Sequence, residues 1–302
     1  MPAPEPILFF NRHTRQIETE AVYGEGFLRW VYENPLGKLA LHALVKRHAF
    51  SHWYGWRMDK PASAAKIEPF IATYGLDPAS FADPVSCYDS FNDFFYRKLK
   101  PSARPIDADA QSVVFPADGR HLLIENIAAC TDFFIKGTRF DLAALLGSPE
   151  LARRFANGSM LISRLCPVDY HRFHFPCSGT PGAPELLNGP LYSVSPIALK
   201  QRPSILWENK RSLTQIASSD LGQVLFLEIG ATCVGTIIHT SLPNRPVVKG
   251  DEKGYFRFGG SCVITVYEPG KVTWDADLIE HGEAGREVYA WMGERCGVCR
   301  RE

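Results

Sequence analysis

The sequence has no excess of charge of either sign: 33 Lys and Arg stand against 33 Asp and Glu, and the formal net charge at pH 7 is zero. Without a global positive field the chain is not expected to bind nucleic acid, and only a local basic patch could attract it. It also lacks the apolar run of roughly 18 to 20 residues needed to span a bilayer, so any membrane contact is expected to lie along the surface. The opening Met-Pro-Ala-Pro-Glu-Pro has no basic stretch leading into an apolar one, which reads as no secretory signal. The eight cysteines are scattered through a long chain and are expected to be thiols. No internal repeat or low-complexity tract is present. What remains is a globular composition: 302 residues, 45% hydrophobic and 22% charged, have room for one large domain or two smaller ones around a sizeable core.

The first hundred residues read mainly as helix. Leu36, Leu39, Ala40, Ala43 and Leu44 recur at helical spacing. Trp30, Trp53, Tyr54 and Trp56 stand among Arg29, Lys38, Lys46, Arg47 and Arg57, a mixture that suits a lipid interface, although the pattern alone slightly favours a helical subdomain packed on the core. A second helix is expected over 63–74, stopped by Gly75. A third is capped by Ser90, with Phe91, Phe94, Phe95 and Leu99 along one side. Pro101 and Pro105 then forbid helix, which sets the expected boundary between a helical N-terminal segment, 1–100, and a second unit, 101–302. Beyond it the period shortens towards two in 160–165, 223–229, 233–239 and 262–267. A helical insertion over 141–155 has Asp141 and Ser148 as caps around Gly147. The predicted class is α+β, helical first and β-rich afterwards.

Asp169-Tyr170-His171-Arg172-Phe173-His174 puts two histidines three residues apart beside a carboxylate. Histidine is the natural general base near neutral pH, and such a pair could also begin a metal site; hydrogen-bonded structural histidines fit the pattern equally. A metal would need more ligands. The candidate, Cys296-Gly297-Val298-Cys299, has no second Cys-x-x-Cys, so no metal is expected. Pro116-Ala117-Asp118-Gly119 reads first as a turn, and otherwise as a buried carboxylate that orients a histidine. Phe258-Gly259-Gly260-Ser261-Cys262-Val263 reads most simply as a hairpin entering the last apolar strand. Alternatively, the two glycines leave the carbonyl before Ser261 open to the serine oxygen, which would require a nearby base.

Further segments join these: Phe10-Asn11-Arg12; Phe91-Asn92-Asp93-Phe94-Phe95 with Arg97-Lys98-Leu99-Lys100; Ala103-Arg104-Pro105; Cys166 through His174; Asn209-Lys210-Arg211; Gly230-Ala231-Thr232-Cys233-Val234-Gly235; and Lys249-Gly250-Asp251-Glu252-Lys253-Gly254-Tyr255-Phe256. Together, and in this order over nearly the whole chain, they resemble the phosphatidylserine decarboxylase family in its bacterial form with a long N-terminal segment.

The resemblance implies a proenzyme that cuts itself between Gly260 and Ser261 into a β chain, 1–260, and an α chain, 261–302. Ser261 becomes a covalent pyruvoyl group and no separate cofactor is needed. The family's processing triad falls on Asp118, His174 and Ser261, and the histidine associated with decarboxylation falls on His171. The chemistry is coherent: His174, held by Asp118, takes the Ser261 proton, and the serine oxygen attacks the Gly260 carbonyl to form an ester. Elimination releases the β chain, and the dehydroalanine left at 261 hydrolyses to a ketone and ammonia. That ketone accepts the electrons freed as carbon dioxide leaves phosphatidylserine to give phosphatidylethanolamine, the role of pyridoxal phosphate elsewhere. The implied surroundings are an anionic membrane surface met by the 30–56 segment, as a peripheral protein on the cytoplasmic side of the cell membrane, and a homodimer of processed protomers. The β-rich unit becomes the catalytic core, expected as a sandwich or partly closed barrel.

Cys262 departs from the threonine common after the motif serine, and Cys296-Gly297-Val298-Cys299 is outside the family's motifs. Three rivals stand beside the decarboxylase reading: pyruvoyl chemistry on a free amino acid, an unprocessed lipid-binding protein, and a serine hydrolase. The interfacial N-terminal segment argues against the first, the intact Asp118, His174 and Ser261 against the second, and the missing Gly-x-Ser-x-Gly elbow against the third.

Overall fold

The computed structural model describes residues 6–22, 24–40, 53, 55–130, 140–231, 237–257 and 261–300, with the backbone alone at 38–40. Its class is α+β, and it is organised around one ten-stranded sheet. The strand order is Gln16–Thr19, Leu8–Asn11, Glu287–Ala290, Gly119–Ile124, Ser159–Leu165, Ser261–Tyr267, Gly222–Ile229, Arg211–Ser218 and Thr180–Pro181, with Glu185–Leu187 also on Arg211–Ser218. Leu8–Asn11 runs parallel to Glu287–Ala290 and the other pairings are antiparallel. The sheet does not close into a barrel.

Both faces are covered, which explains why its central strands are buried throughout. Alternation divides the serine strand, Ser261–Tyr267, between two cores. Cys262, Ile264 and Val266 face a core filled by helices Leu142–Leu146, Pro196–Gln201 and Ile205–Glu208. Val263 and Tyr267 face a second core, closed by helix Ala276–Glu283 and two three-stranded sheets. One of these small sheets is Ile237–His239, Glu252–Phe256 and Arg172–His174; the other is Val272–Trp274, Arg295–Cys299 and Ser112–Val114.

Several local expectations appear as elements. Asp141 and Ser148 accept from the backbone N–H of Ala144 and Leu151, and Gly147 between them has φ +64°. Ser90 caps Phe91–Phe95, and Gly75 ends Ile67–Tyr74. Phe70, Phe81, Phe91, Phe94 and Phe95 form a third, separate core. Parts of the 1–100 segment pack on the rest of the chain. Residues 8–11 and 16–19 extend the main sheet, and Val31 and Tyr32 of helix Glu25–Glu33 enter the first core. Strands of four residues are too short to show a period. Ala43, Leu44, Lys46, Arg47 and Tyr54 lie outside the described residues, as does Thr232 through Gly235.

Candidate active site

Ser261 opens its strand opposite Leu165, and its hydroxyl lies 3.3 Å from His171 Nδ1. His171 follows the turn Cys166-Pro167-Val168-Asp169, which is tied by Cys166 N–H to Asp169 Oδ2 at 2.7 Å and Asp169 N–H to Cys166 O at 2.9 Å. The Cys166 carbonyl also accepts from His171 Nε2 at 2.9 Å. That nitrogen therefore carries the proton, and Nδ1 is left to accept from the serine hydroxyl. Phe95 stacks on the imidazole with ring centroids 3.9 Å apart. Ser261 and His171 are both fully buried. Burial, followed by the positive charge of Arg97, pushes the His171 pKa down to about 3, so this imidazole is neutral.

His174 ends strand Arg172–His174 and is held differently. Its Nδ1 donates to Gly250 O at 2.9 Å, while Nε2 is buried with no hydrogen-bond partner among the described residues. Burial lowers its pKa, opposed by the Gly250 carbonyl and the carboxylates of Glu252 and Asp118. Asp118 is itself clamped: Arg104 Nε reaches both its oxygens at 2.8 Å, and Met292 N–H donates to Oδ1 at 2.9 Å. The structure thus brings His171 to Ser261 and places Asp118 in electrostatic range of His174, without a hydrogen-bonded Asp118, His174, Ser261 relay. The physical reason lies in the extended backbone, which turns side chains three residues apart to opposite sides, about 10 Å from each other along the strand. Gly260 and Gly259, the expected cleavage position, lie outside the described residues.

Behind the site lies a buried ion cluster that the motifs did not announce. Arg120 and Arg164 are direct neighbours on adjacent strands. Such a pair repels unless carboxylates separate the charges, and Glu20, Glu287 and Asp169 supply them. Arg164 donates to Glu287 Oε1 at 2.9 Å and Oε2 at 2.6 Å and to Glu20 Oε2 at 2.6 Å; Arg120 reaches Glu20 and Asp169 at 3.2 Å. The Cys166 thiol donates to Glu20 Oε1 at 3.1 Å. The visible signal was an arginine at an inward position of an otherwise apolar strand. Gly119 has φ +154°, and a Cβ there would lie 2.4 Å from the Arg164 carbonyl, so the glycine after Asp118 is required by the close approach of two strands.

The described cysteines are free thiols, and Cys296 is buried with its thiol on Val113 O at 3.2 Å. Among the described residues no group of three or more His, Cys, Asp or Glu side chains could hold a metal ion.

The site is therefore a buried serine at a strand start that faces a neutral histidine, in a fold that also holds a clamped Asp118 and a second buried histidine, His174. The sequence profile of the phosphatidylserine decarboxylase family matches residues 91–297. The chain is 45% identical to a phosphatidylserine decarboxylase proenzyme of Fusobacterium nucleatum over 97% of its own length and 98% of that protein. It is 43% identical to the proenzyme of that name from Clostridium novyi, covering 97% and 99%, and 42% identical to one from Desulfitobacterium hafniense, covering 97% and 98%. The chain belongs to the phosphatidylserine decarboxylase family.

Proposed function

We propose that this chain is a proenzyme that cuts itself before Ser261 and then decarboxylates phosphatidylserine to phosphatidylethanolamine and carbon dioxide. The observation that carries the reading is the buried Ser261 hydroxyl at 3.3 Å from a neutral His171. Position 261 also suits a pyruvoyl group: it is fully buried, so water is kept from a reactive ketone, and an imidazole nitrogen faces it. A pyruvoyl carbonyl there supplies the electron sink that decarboxylation needs.

The remaining roles belong to the chain's side chains. His174, whose Nε2 has no hydrogen-bond partner among the described residues and whose basicity two carboxylates favour against burial, is assigned as the base that takes the Ser261 proton. Arg104 and Met292 N–H hold Asp118 so that its charge favours the imidazolium formed on His174. His171, neutral and stacked on Phe95, stays against position 261 and orients the headgroup or returns the proton to the α-carbon.

The membrane surface is met by the exposed Phe27, Trp30, Leu36, Trp53 and Trp56, with Arg57 over the Trp53 ring and Lys60 over that of Trp56. Among the described residues no helix is long and apolar enough to cross a membrane. A peripheral position on the cytoplasmic side and a homodimer complete the proposal; fractionation and light scattering of the processed protein test them. The decisive experiment is intact mass spectrometry of fresh protein followed by a turnover assay. A fragment 261–302 beginning with pyruvoyl, absent in Ser261→Ala, together with phosphatidylserine turnover, supports the reading. An intact chain after incubation with lipid overturns it.

A further inference from the structure

Among the described residues Arg97 is a buried guanidinium with no carboxylate in ion-pair contact, although Asp118 and Asp169 act on it from further away. Every other arginine around the site has such a contact: Arg104 holds Asp118, Arg120 holds Asp169 and Glu20, Arg164 holds Glu20 and Glu287, and Arg172 holds Glu252. Arg97 is 5% exposed, and among the described residues no carboxylate lies within ion-pair distance of it. Among the described residues its Nε is buried without a partner, and the guanidinium's one hydrogen bond, from a terminal nitrogen to Phe94 O, is long at 3.5 Å. The guanidinium lies over the rings of Phe94 and Phe81, at 4.7 and 5.0 Å from their centroids. Such contacts hold a cation without neutralising it, and a desolvated charge of this kind is expensive unless an anion arrives. Burial lowers its pKa to about 10, which leaves it charged at neutral pH.

Its position relative to the reacting residue follows from one short segment. Helix Phe91–Phe95 puts the Phe94 ring under Arg97 and the Phe95 ring on His171, whose Nδ1 faces Ser261. The charge of Arg97 also reaches His171, whose pKa it lowers.

We propose that Arg97 is the residue that recognises the phosphodiester of the lipid headgroup. This rests on the phosphatidylserine reading above. The headgroup carries two anions, and their chemistry separates them. A guanidinium clamped on the departing carboxylate would stabilise the ground state and oppose loss of carbon dioxide. The phosphodiester keeps its charge from substrate to product, and only an oxygen and a methylene separate it from the α-carbon. A cation whose field reaches His171, the residue that faces position 261, is matched to it, and the fork of N–H donors suits two phosphate oxygens.

The test uses the full-length, self-processed protein in mixed micelles containing phosphatidylserine. Arg97→Met keeps the apolar stem on Phe81 and Phe94 and removes a buried charge that no carboxylate among the described residues contacts, so folding and self-cleavage are expected to survive. KM should rise about tenfold or more with kcat within about threefold, the signature of binding shared by ground and transition states. Glycerophosphoethanolamine, which has the phosphodiester and amine but no carboxylate, is used as a competitive inhibitor, and its Ki should weaken by the same factor. Arg97→Lys should recover part of both losses and decides the matter if the Met variant fails to mature: an unchanged KM and Ki there overturns the proposal. A raised KM with an unchanged Ki overturns it too, since the charge then serves the carboxylate, as does a fall in kcat at constant KM. If the wild-type protein fails to turn over phosphatidylserine, the decarboxylase reading falls instead.

Discussion

His171→Ala and His174→Ala are expected to separate maturation from turnover, even though His171 is the histidine in contact with Ser261. Proximity favours His171 as the base, but electrostatics does not. Burial and Arg97 take its pKa from 6.5 to about 3. With a Brønsted sensitivity of about one half, that fall makes it roughly 50-fold weaker as a general base than an ordinary imidazole. His174 is also buried, but Glu252 and Asp118 oppose the loss of its basicity and its Nε2 is free to accept a proton. Removing the true base should slow self-cleavage by about 100-fold or more, while removing His171 should slow it by less than about tenfold and abolish decarboxylation of the mature protein. The assay follows the intact chain and the 261–302 fragment by mass spectrometry in a time course after synthesis, with carbon dioxide release measured separately. A His171→Ala chain that stays uncut while His174→Ala matures at the wild-type rate would refute the argument, and the 3.3 Å contact would then outweigh the fields around the two rings.

The Glu20 carboxyl, which burial alone would raise, is held down to about 2 by Arg164 and Arg120, so its contribution is complete above pH 4.5 and is lost as pH falls towards 2. Urea titration of Glu20→Gln should show a loss on the order of 3 kcal/mol at pH 7, narrowing by about 1 kcal/mol at pH 4; an equal gap at both pH values would sink the assignment. Burial lowers His121 and His171 to about 3, so an unfolded chain takes up protons below pH 6.5 that the folded one refuses. Stability from these two groups is therefore present above pH 6.5 and should fall by roughly 2 kcal/mol for each at pH 5, with a shallower slope in His121→Gln. Gly119→Ala forces a Cβ to within 2.4 Å of the Arg164 carbonyl and should destabilise by about 2 kcal/mol or more while slowing self-cleavage; a neutral result would mean the two strands can part freely. Trp30→Ser with Trp56→Ser should weaken sedimentation with anionic liposomes while leaving self-cleavage intact, and unchanged sedimentation would remove the exposed aromatic face from the membrane reading.

The local devices of the fold were legible because each is written in adjacent residues. Ser90, Asp141 and Ser148 cap the helices that follow them, and Gly75 and Gly147 turn the chain out of helix. The serine strand and its neighbours announced themselves by β-branched, apolar runs. Strands 8–11 and 16–19 did not, since four residues carry no measurable period, and the place of 8–11 in the sheet was set by pairing with residues 287–289, almost a chain length away, with 16–19 added beside it. Arg120 and Arg164 weakened the strand signal where they stand. Only the register that sets them opposite one another shows why Glu20, Glu287 and Asp169 must be buried beside them. The candidate site follows the same rule. Both histidines could be read from one hexapeptide, but which of them meets Ser261 depends on Ser261 lying opposite Leu165 and on the turn 166–169 that carries the chain back to it. Three residues along an extended strand reverse a side chain, so the spacing that made both histidines conspicuous is also what prevents them from facing the serine together.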